Sequence, residues 1–220
     1  MNITRRNALW GAGAAIAFPF AAAAEDDPLR SFMIPSESME PNLKIGDVVL
    51  TRRVDGGLAT PPRRGDIVIF RREENFWVKR LIGLPGDVVA MEAGVPILNG
   101  QRLPHYAGRE PERPSFDRAH VVEPPKTNRP VVMIERLGER RYRVQERAIV
   151  NGEPAPARRD VVACTVPNDC VYLIGDNRDE SLDSRSFGPA PHQELRFVAI
   201  QILHSQDPSR IGLRLDRNVI

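Results

Sequence analysis

The chain has 220 residues, a formal net charge of +2, and charged side chains at 27% of its positions. That length provides one good-sized domain, or a domain carrying a large insertion, with ample core. The near-neutral charge balance leaves no electrostatic footprint for nucleic acid and argues against a nucleic-acid partner.

Taken in chain order, Arg5 and Arg6 precede an Ala-rich apolar run from Ala8 to Ala24, which Glu25, Asp26 and Asp27 close. Residues 1–24 therefore read as an N-terminal apolar membrane anchor or export signal, separate from the globular part. The charge asymmetry puts the N-terminus in the cytoplasm and exports everything after residue 25. Two fates stay open for the segment. Thr4 to Leu9 looks like a twin-arginine export signal, and Ala22-Ala23-Ala24 offers the small residues of a cleavage site. Against removal, the apolar run reaches the lower end of spanning length, although Gly11, Gly13 and Pro19 weaken it as a helix. Retention gives a single-pass protein of the inner (cytoplasmic) membrane facing the periplasm, in contact with membrane lipid; removal gives a released periplasmic protein.

Beyond Gly46 the pattern is short β-rich runs between turn residues, and the 20 prolines also speak against long helices. Strands are expected over 47–52, 66–71, 76–82, 87–92, 95–98, 131–135, 142–145, 161–165, 171–174 and 195–203. Asn99-Gly100 and Asn151-Gly152 mark tight hairpin turns. The expected class is all-β, as packed antiparallel sheets or an irregular barrel. Residues 100–162 differ in texture, with eight prolines between Arg/Glu-rich strands. They read as an inserted β subdomain without obvious chemistry, dividing a catalytic core into 25–99 and 163–220. The Arg-rich stretch from Arg136 to Arg147 reads as a solvated strand face. Cys164 and Cys170 flank a Val-Pro-Asn-Asp turn, and in an exported chain a local disulfide between them is expected.

The chemistry rests on residue types. Lys44, Lys79 and Lys126 are the only lysines among 31 basic residues, so a Lys inside the apolar run Phe76-Trp77-Val78-Lys79-Arg80 invites a reason specific to lysine. Arg stays charged, whereas a desolvated Lys can lose its proton and act as a base. The bland alternative is a snorkelling side chain with its ammonium in water. Bringing the amine from ~10.4 to near 7 takes about 4.6 kcal/mol of differential destabilisation of the ammonium, which burial can supply. Phe76, Trp77, Val78, Leu81 and Ile82 are the desolvating neighbours, and no carboxylate should pair with Lys79. Pro35-Ser36-Glu37-Ser38-Met39 places two hydroxyls two residues apart: one can attack while the other, with a backbone N–H, donates to the developing oxyanion. By itself this is also an ordinary Ser-rich turn. The dense polar loop from Gly175 to Arg185 could supply Ser181 to orient the lysine and an Asp183/Arg185 pair to brace the loop. His105, His120, His192 and His204 lack any Ser-His-Asp signature. No metal or nucleotide motif is present, so no cofactor is implied.

Four ordered blocks resemble bacterial signal peptidase I, the leader peptidase family of serine/lysine proteases. They are Ile34 to Asp47, Arg64 to Val68, Lys79 to Asp87, and Gly175 to Arg185. The resemblance implies the family's β-rich catalytic core with a variable second β domain. It implies Ser38 as nucleophile, Lys79 as general base, the Ser36 hydroxyl with the Ser38 amide as oxyanion hole, Ser181 as partner of the lysine, and Asp183 with Arg185 as the brace. Phe32, Ile34, Met39, Leu43 and Val78 would line shallow pockets for small residues at −1 and −3. The implied substrate is the signal peptide of an exported preprotein, bound as an added strand. Glu37 departs from the pattern, standing where the family usually has Gly, and is expected to point to solvent. A specialised conjugation or pilin processing peptidase is the alternative within the same mechanism. In a different class stands an inactive β-rich module that binds signal-like peptides.

Overall fold

The computed structural model describes residues 14–17, 28–54, 60–107, 130–147, 149–150, 153–154 and 160–217. Its strands are β1 (Ala14–Ala17), β2 (Leu29–Met33), β3 (Val48–Arg53), β4 (Ile67–Arg72), β5 (Asn75–Gly83), β6 (Val88–Glu92), β7 (Val95–Leu98), β8 (Gln101–Arg102) and β9 (His105–Tyr106). There follow β10 (Val131–Leu137), β11 (Arg140–Glu146), β12 (Ile149–Val150), β13 (Glu153–Pro154), β14 (Val161–Thr165), β15 (Cys170–Ile174), β16 (Ala190–Pro191) and β17 (Leu195–His204). The single α-helical turn among the described residues, α1, is Ser184–Phe187.

The main sheet has the order β1-β2-β3-β17-β4-β5-β15-β16, and β1 also pairs with β5. The six strands from β1 round to β5 therefore close into a ring, with every pair antiparallel. Strand alternation sorts side chains to the two faces. Phe32, Val49, Ile67, Ile69, Val78, Phe197 and Ile202, from five of these strands, gather into one buried cluster and so mark the inside of the ring. The alternate residues Val68, Phe70, Trp77 and Leu81 form an outer cluster with Val171, Leu173 and Leu195. Because β4 is buried on both faces, its start reads as a continuous apolar run. Lys79 alternates with Val78 and shares the outer face of β5 with Trp77 and Leu81.

A second body of β-structure is built from two small sheets, β14-β6-β7-β8 and β11-β10-β9. Its core holds Val89, Met91, Met133, Tyr142, Val144 and Val166, and draws in Ile82 from β5 and Tyr172 and Ile174 from β15. The sheet β14-β6-β7-β8 straddles the boundary expected at residue 100, since two of its strands precede it.

The all-β expectation holds, and each strand expected from the sequence is present, most with ends displaced by a residue or two. Asn99 and Gly100 both adopt positive φ, 52° and 77°, as a tight hairpin turn requires. Ile149–Val150 pairs with Glu153–Pro154 around Asn151-Gly152, which lie outside the described residues. The Arg-rich stretch is solvated on one face only: Tyr142 and Val144 on β11 are buried. The expected disulfide is corrected. Cys164 and Cys170 are free thiols, on β14, which pairs with β6, and on β15, which pairs with β5 and β16. Of the expected anchor, residues 1–13 and 18–24 lie outside the described residues, and residues 14–17 form strand β1. No helix among the described residues is long and apolar enough to cross a membrane.

Candidate active site

The site begins where β2 ends. Ile34 N–H donates to Asp47 O at 2.8 Å and Gly46 N–H to Ile34 O at 2.8 Å, so the chain leaves the strand clamped to the start of β3. Pro35 then turns it into a single 3₁₀ turn, Glu37–Met39. Met39 is buried in the barrel interior and Ser38 beside it is also buried, while Glu37 stays exposed as expected. Asn42, Asp47 and Arg210 hold the far side of this loop. Arg210 donates to Asp47 Oδ2 at 2.7 Å and to the Asn42 carbonyl at 2.8 Å.

Forty-one residues downstream, β5 delivers Lys79 to this turn. Lys79 Nζ stands 2.9 Å from Ser38 Oγ and donates to Val78 O at 2.8 Å. Ser36 Oγ lies 3.3 Å from Ser38 Oγ. Both members of the pair are buried, Ser38 at 7% exposure and Lys79 at 1%. Burial pushes the Lys79 amine down to about 8. Asp183 and Asp176 oppose the effect of burial, and Arg185 only partly offsets them. Neither carboxylate forms an ion pair with the lysine. Asp183 is held by Arg185 at 2.8 Å and Asp176 by a two-pronged contact from Arg80 at 2.7 and 2.6 Å. Burial works against ionisation of Asp183, but the charge and hydrogen bonds of Arg185, with the Gly175 N–H, keep its carboxyl below the usual range.

The polar loop after β15 closes over the pair. Gly175 N–H donates to Asp183 Oδ2 at 2.9 Å, and Asn177 N–H donates to the Ser38 carbonyl at 3.1 Å. A Cβ at Gly175 would lie 2.1 Å from Ser181 Oγ and 2.6 Å from Ser38 O, so this loop approaches the nucleophile turn as only glycine permits. Asp183 and Arg185 pair with each other within this loop. Ser181 is buried against Gly175, and its hydroxyl helps hold the Asp183 carboxyl down rather than meeting the lysine. Phe32, Ile34, Met39, Leu43 and Val78 are brought together as expected, but as one interior cluster with none above 4% exposure.

The sequence reasoning missed Arg80, Asn42, Asn177 and Glu135. Arg80 follows the lysine and could have been read as the charge partner of the Asp176 loop; Asn42 completes that carboxylate's shell at 2.7 Å. Glu135 and Arg178 pair in complete burial at 2.7 Å, fixing the loop from the inserted sheet. Nothing local in the sequence distinguishes Glu135 from its solvated neighbours.

Known proteins similar to this chain include signal peptidases. The chain is 30% identical over 173 residues to signal peptidase I of Pseudomonas aeruginosa, covering 71% of this chain and 55% of that one. It is 25% identical over 226 residues to signal peptidase I of Buchnera aphidicola, covering 84% of this chain and 72% of the relative. A solved signal peptidase I from Enterococcus faecalis superposes with a TM-score of 0.34 at 24% identity, over 63% of this chain and 97% of that one. Residues 8–202 match the family described as signal peptidase, peptidase S26, which takes in both the Ser38 turn and the Lys79 strand. The chain belongs to that signal peptidase family.

Proposed function

We propose that this protein is a membrane-associated serine endopeptidase that removes signal peptides from exported preproteins, cutting after small residues at −1 and −3. The observation that carries the reading is the 2.9 Å approach of Lys79 Nζ to Ser38 Oγ in a buried site without an ion-paired carboxylate. The neutral amine accepts the Ser38 proton as Oγ attacks the scissile carbonyl, then returns it to the leaving amine. The Ser36 hydroxyl and the Ser38 N–H stabilise the oxyanion; as part of a 3₁₀ turn's start, that N–H has no carbonyl of its own turn to meet. Water, activated by the same lysine, releases the acyl group. Phe32, Ile34, Met39, Leu43 and Val78 floor the pockets that admit only small side chains. Ser181 takes up the lysine's free hydrogen-bonding position during turnover. The reaction takes place on the periplasmic face of the inner membrane, with residues 1–24 as anchor.

The test is cleavage of a purified preprotein with Ala at −1 and −3 by detergent-solubilised wild type, Ser38→Ala and Lys79→Ala proteins. Cutting after the −1 Ala by wild type alone is expected. Cutting by either variant would sink the dyad, and no cutting by wild type would favour a restricted or inactive relative.

A further inference from the structure

Strand β1 holds an unusual place in the barrel. It is antiparallel to both β2 and β5, so those two strands run in the same direction, and β1 is the ladder that joins them. Ile16 pairs with Met33 and Ala17 with Phe32 on one side; Ala14 pairs with Trp77 and Ala15 with Phe76 on the other. Without β1, the ring would open by about two strand spacings, roughly 10 Å, and each edge would present unpaired N–H and C=O groups. One edge leads directly into Ser36 and Ser38, the other into Lys79. A gap with these edges fits one extended peptide and delivers it to both members of the dyad.

The segment that fills the gap is Ala-Ala-Ile-Ala, inside the run that the sequence marks as anchor or export signal. Its grip is chiefly main-chain hydrogen bonding. Three of its four residues are alanines, which carry little apolar area to lose, so the segment can be given up at small cost. As part of the same chain, however, it is present at an effective concentration on the order of millimolar. A weakly held strand at that concentration still excludes a peptide of modest affinity.

Resting on the protease reading above, we propose that residues 14–17 are a built-in occupant of the substrate slot: the leader holds the enzyme closed, and an extended peptide enters only when the leader withdraws. The same residues cannot lie in the barrel and in a bilayer at once. Insertion of the leader into the membrane therefore opens the slot, which confines peptide entry to the membrane-bound form.

The test fixes the leader in place. In full-length Cys164→Ser/Cys170→Ser protein in detergent, Ile16→Cys and Met33→Cys place two thiols on directly opposed residues. Opposed antiparallel residues lie about 4.5–5.5 Å apart at Cα, within disulfide range. Binding of a fluorescent peptide with Ala at −1 and −3 is measured by anisotropy before and after oxidation, with cleavage as a second readout. Formation of the disulfide with at least tenfold weaker binding, restored by dithiothreitol, is the expected result. Ile16→Pro, which removes a ladder donor from β1, should bind the peptide several-fold more tightly than wild type. Failure of the disulfide to form, or equal binding by oxidised and reduced forms, would overturn the proposal, as would absence of peptide binding throughout. Binding that follows the redox state without any cleavage would leave the occupant role standing and remove the protease reading.

Discussion

Lys79 is suited to the proposed role of general base because it is held where its charge is unwelcome. Trp77, Leu81 and Val68 surround its position on the sheet, and the two nearest influential carboxylates are each occupied by an arginine. With the folded-state value lowered from 10.5 to about 8, the unfolded chain binds more protons between those limits, so this group makes stability rise with pH there. Below about 8 the full penalty remains, about 3 kcal/mol. Lys79→Met should therefore abolish cleavage yet melt at a higher temperature than wild type at pH 7, and the difference should shrink by pH 10. Thermal melts at the two pH values check this. The rate of the wild type should rise with pH through about 8 as the amine becomes neutral, and a pH profile of kcat/KM reads it directly. The rarity of lysine in an arginine-rich chain made this residue conspicuous in sequence. Its neighbours Arg80 and Asn42 were not, because their meaning lies in a carboxylate 96 and 134 residues away.

At the scale of elements, the decisive contact is between two loops. The Gly175–Arg185 segment lies over the Ser38 turn with Asn177 donating to its carbonyl, and Gly175 is the point of closest approach. Gly175→Ala would drive a methyl group into the Ser38 carbonyl oxygen, 2.6 Å away, and into Ser181. Displacement of the Ser38 hydroxyl by about 1 Å should lower kcat on the order of 10²-fold, with KM changed much less. Steady-state kinetics separate the two. Strands were legible because alternation and turn residues are local signals, as at Asn99-Gly100. β2 was not expected as a strand, since Leu29-Arg30-Ser31-Phe32-Met33 has mixed polarity; its pairing with β3 and β1 supplies what its own pattern lacks. The short pairings of β9 and β16 likewise exist only through their partners.

At the scale of the molecule, the second body of β-structure is more than decoration on the barrel. Glu135 on β10 pairs with Arg178 in the catalytic loop and accepts a hydrogen bond from Tyr142, while Gln145 N–H donates to Asp176 O at 2.8 Å. Although burial opposes it, Arg178 and His105 hold the Glu135 carboxyl down to about 2. Its folded value lies below its unfolded one, so the stability it contributes is present above pH ~4.5 and is lost as pH falls towards 2. Glu135→Gln leaves Arg178 buried without its counter-charge and should cost about 3–5 kcal/mol near neutral pH. Acid titration of the variant should show a flatter loss of stability between pH 4.5 and 2 than wild type, followed by circular dichroism.

The sequence by itself determined the all-β class and most strand positions, and it pointed to Ser38 and Lys79 as the candidate pair, because alternation, turn chemistry and residue type are properties of neighbours along the chain. Only the tertiary structure decided that Cys164 and Cys170 belong to different sheets, that Arg80, Asn42 and Glu135 hold the catalytic loop, and that residues 14–17 close the barrel. Each of those depends on which strands pair across long separations, and burial in the assembled fold gives the same residue types opposite roles on neighbouring strands.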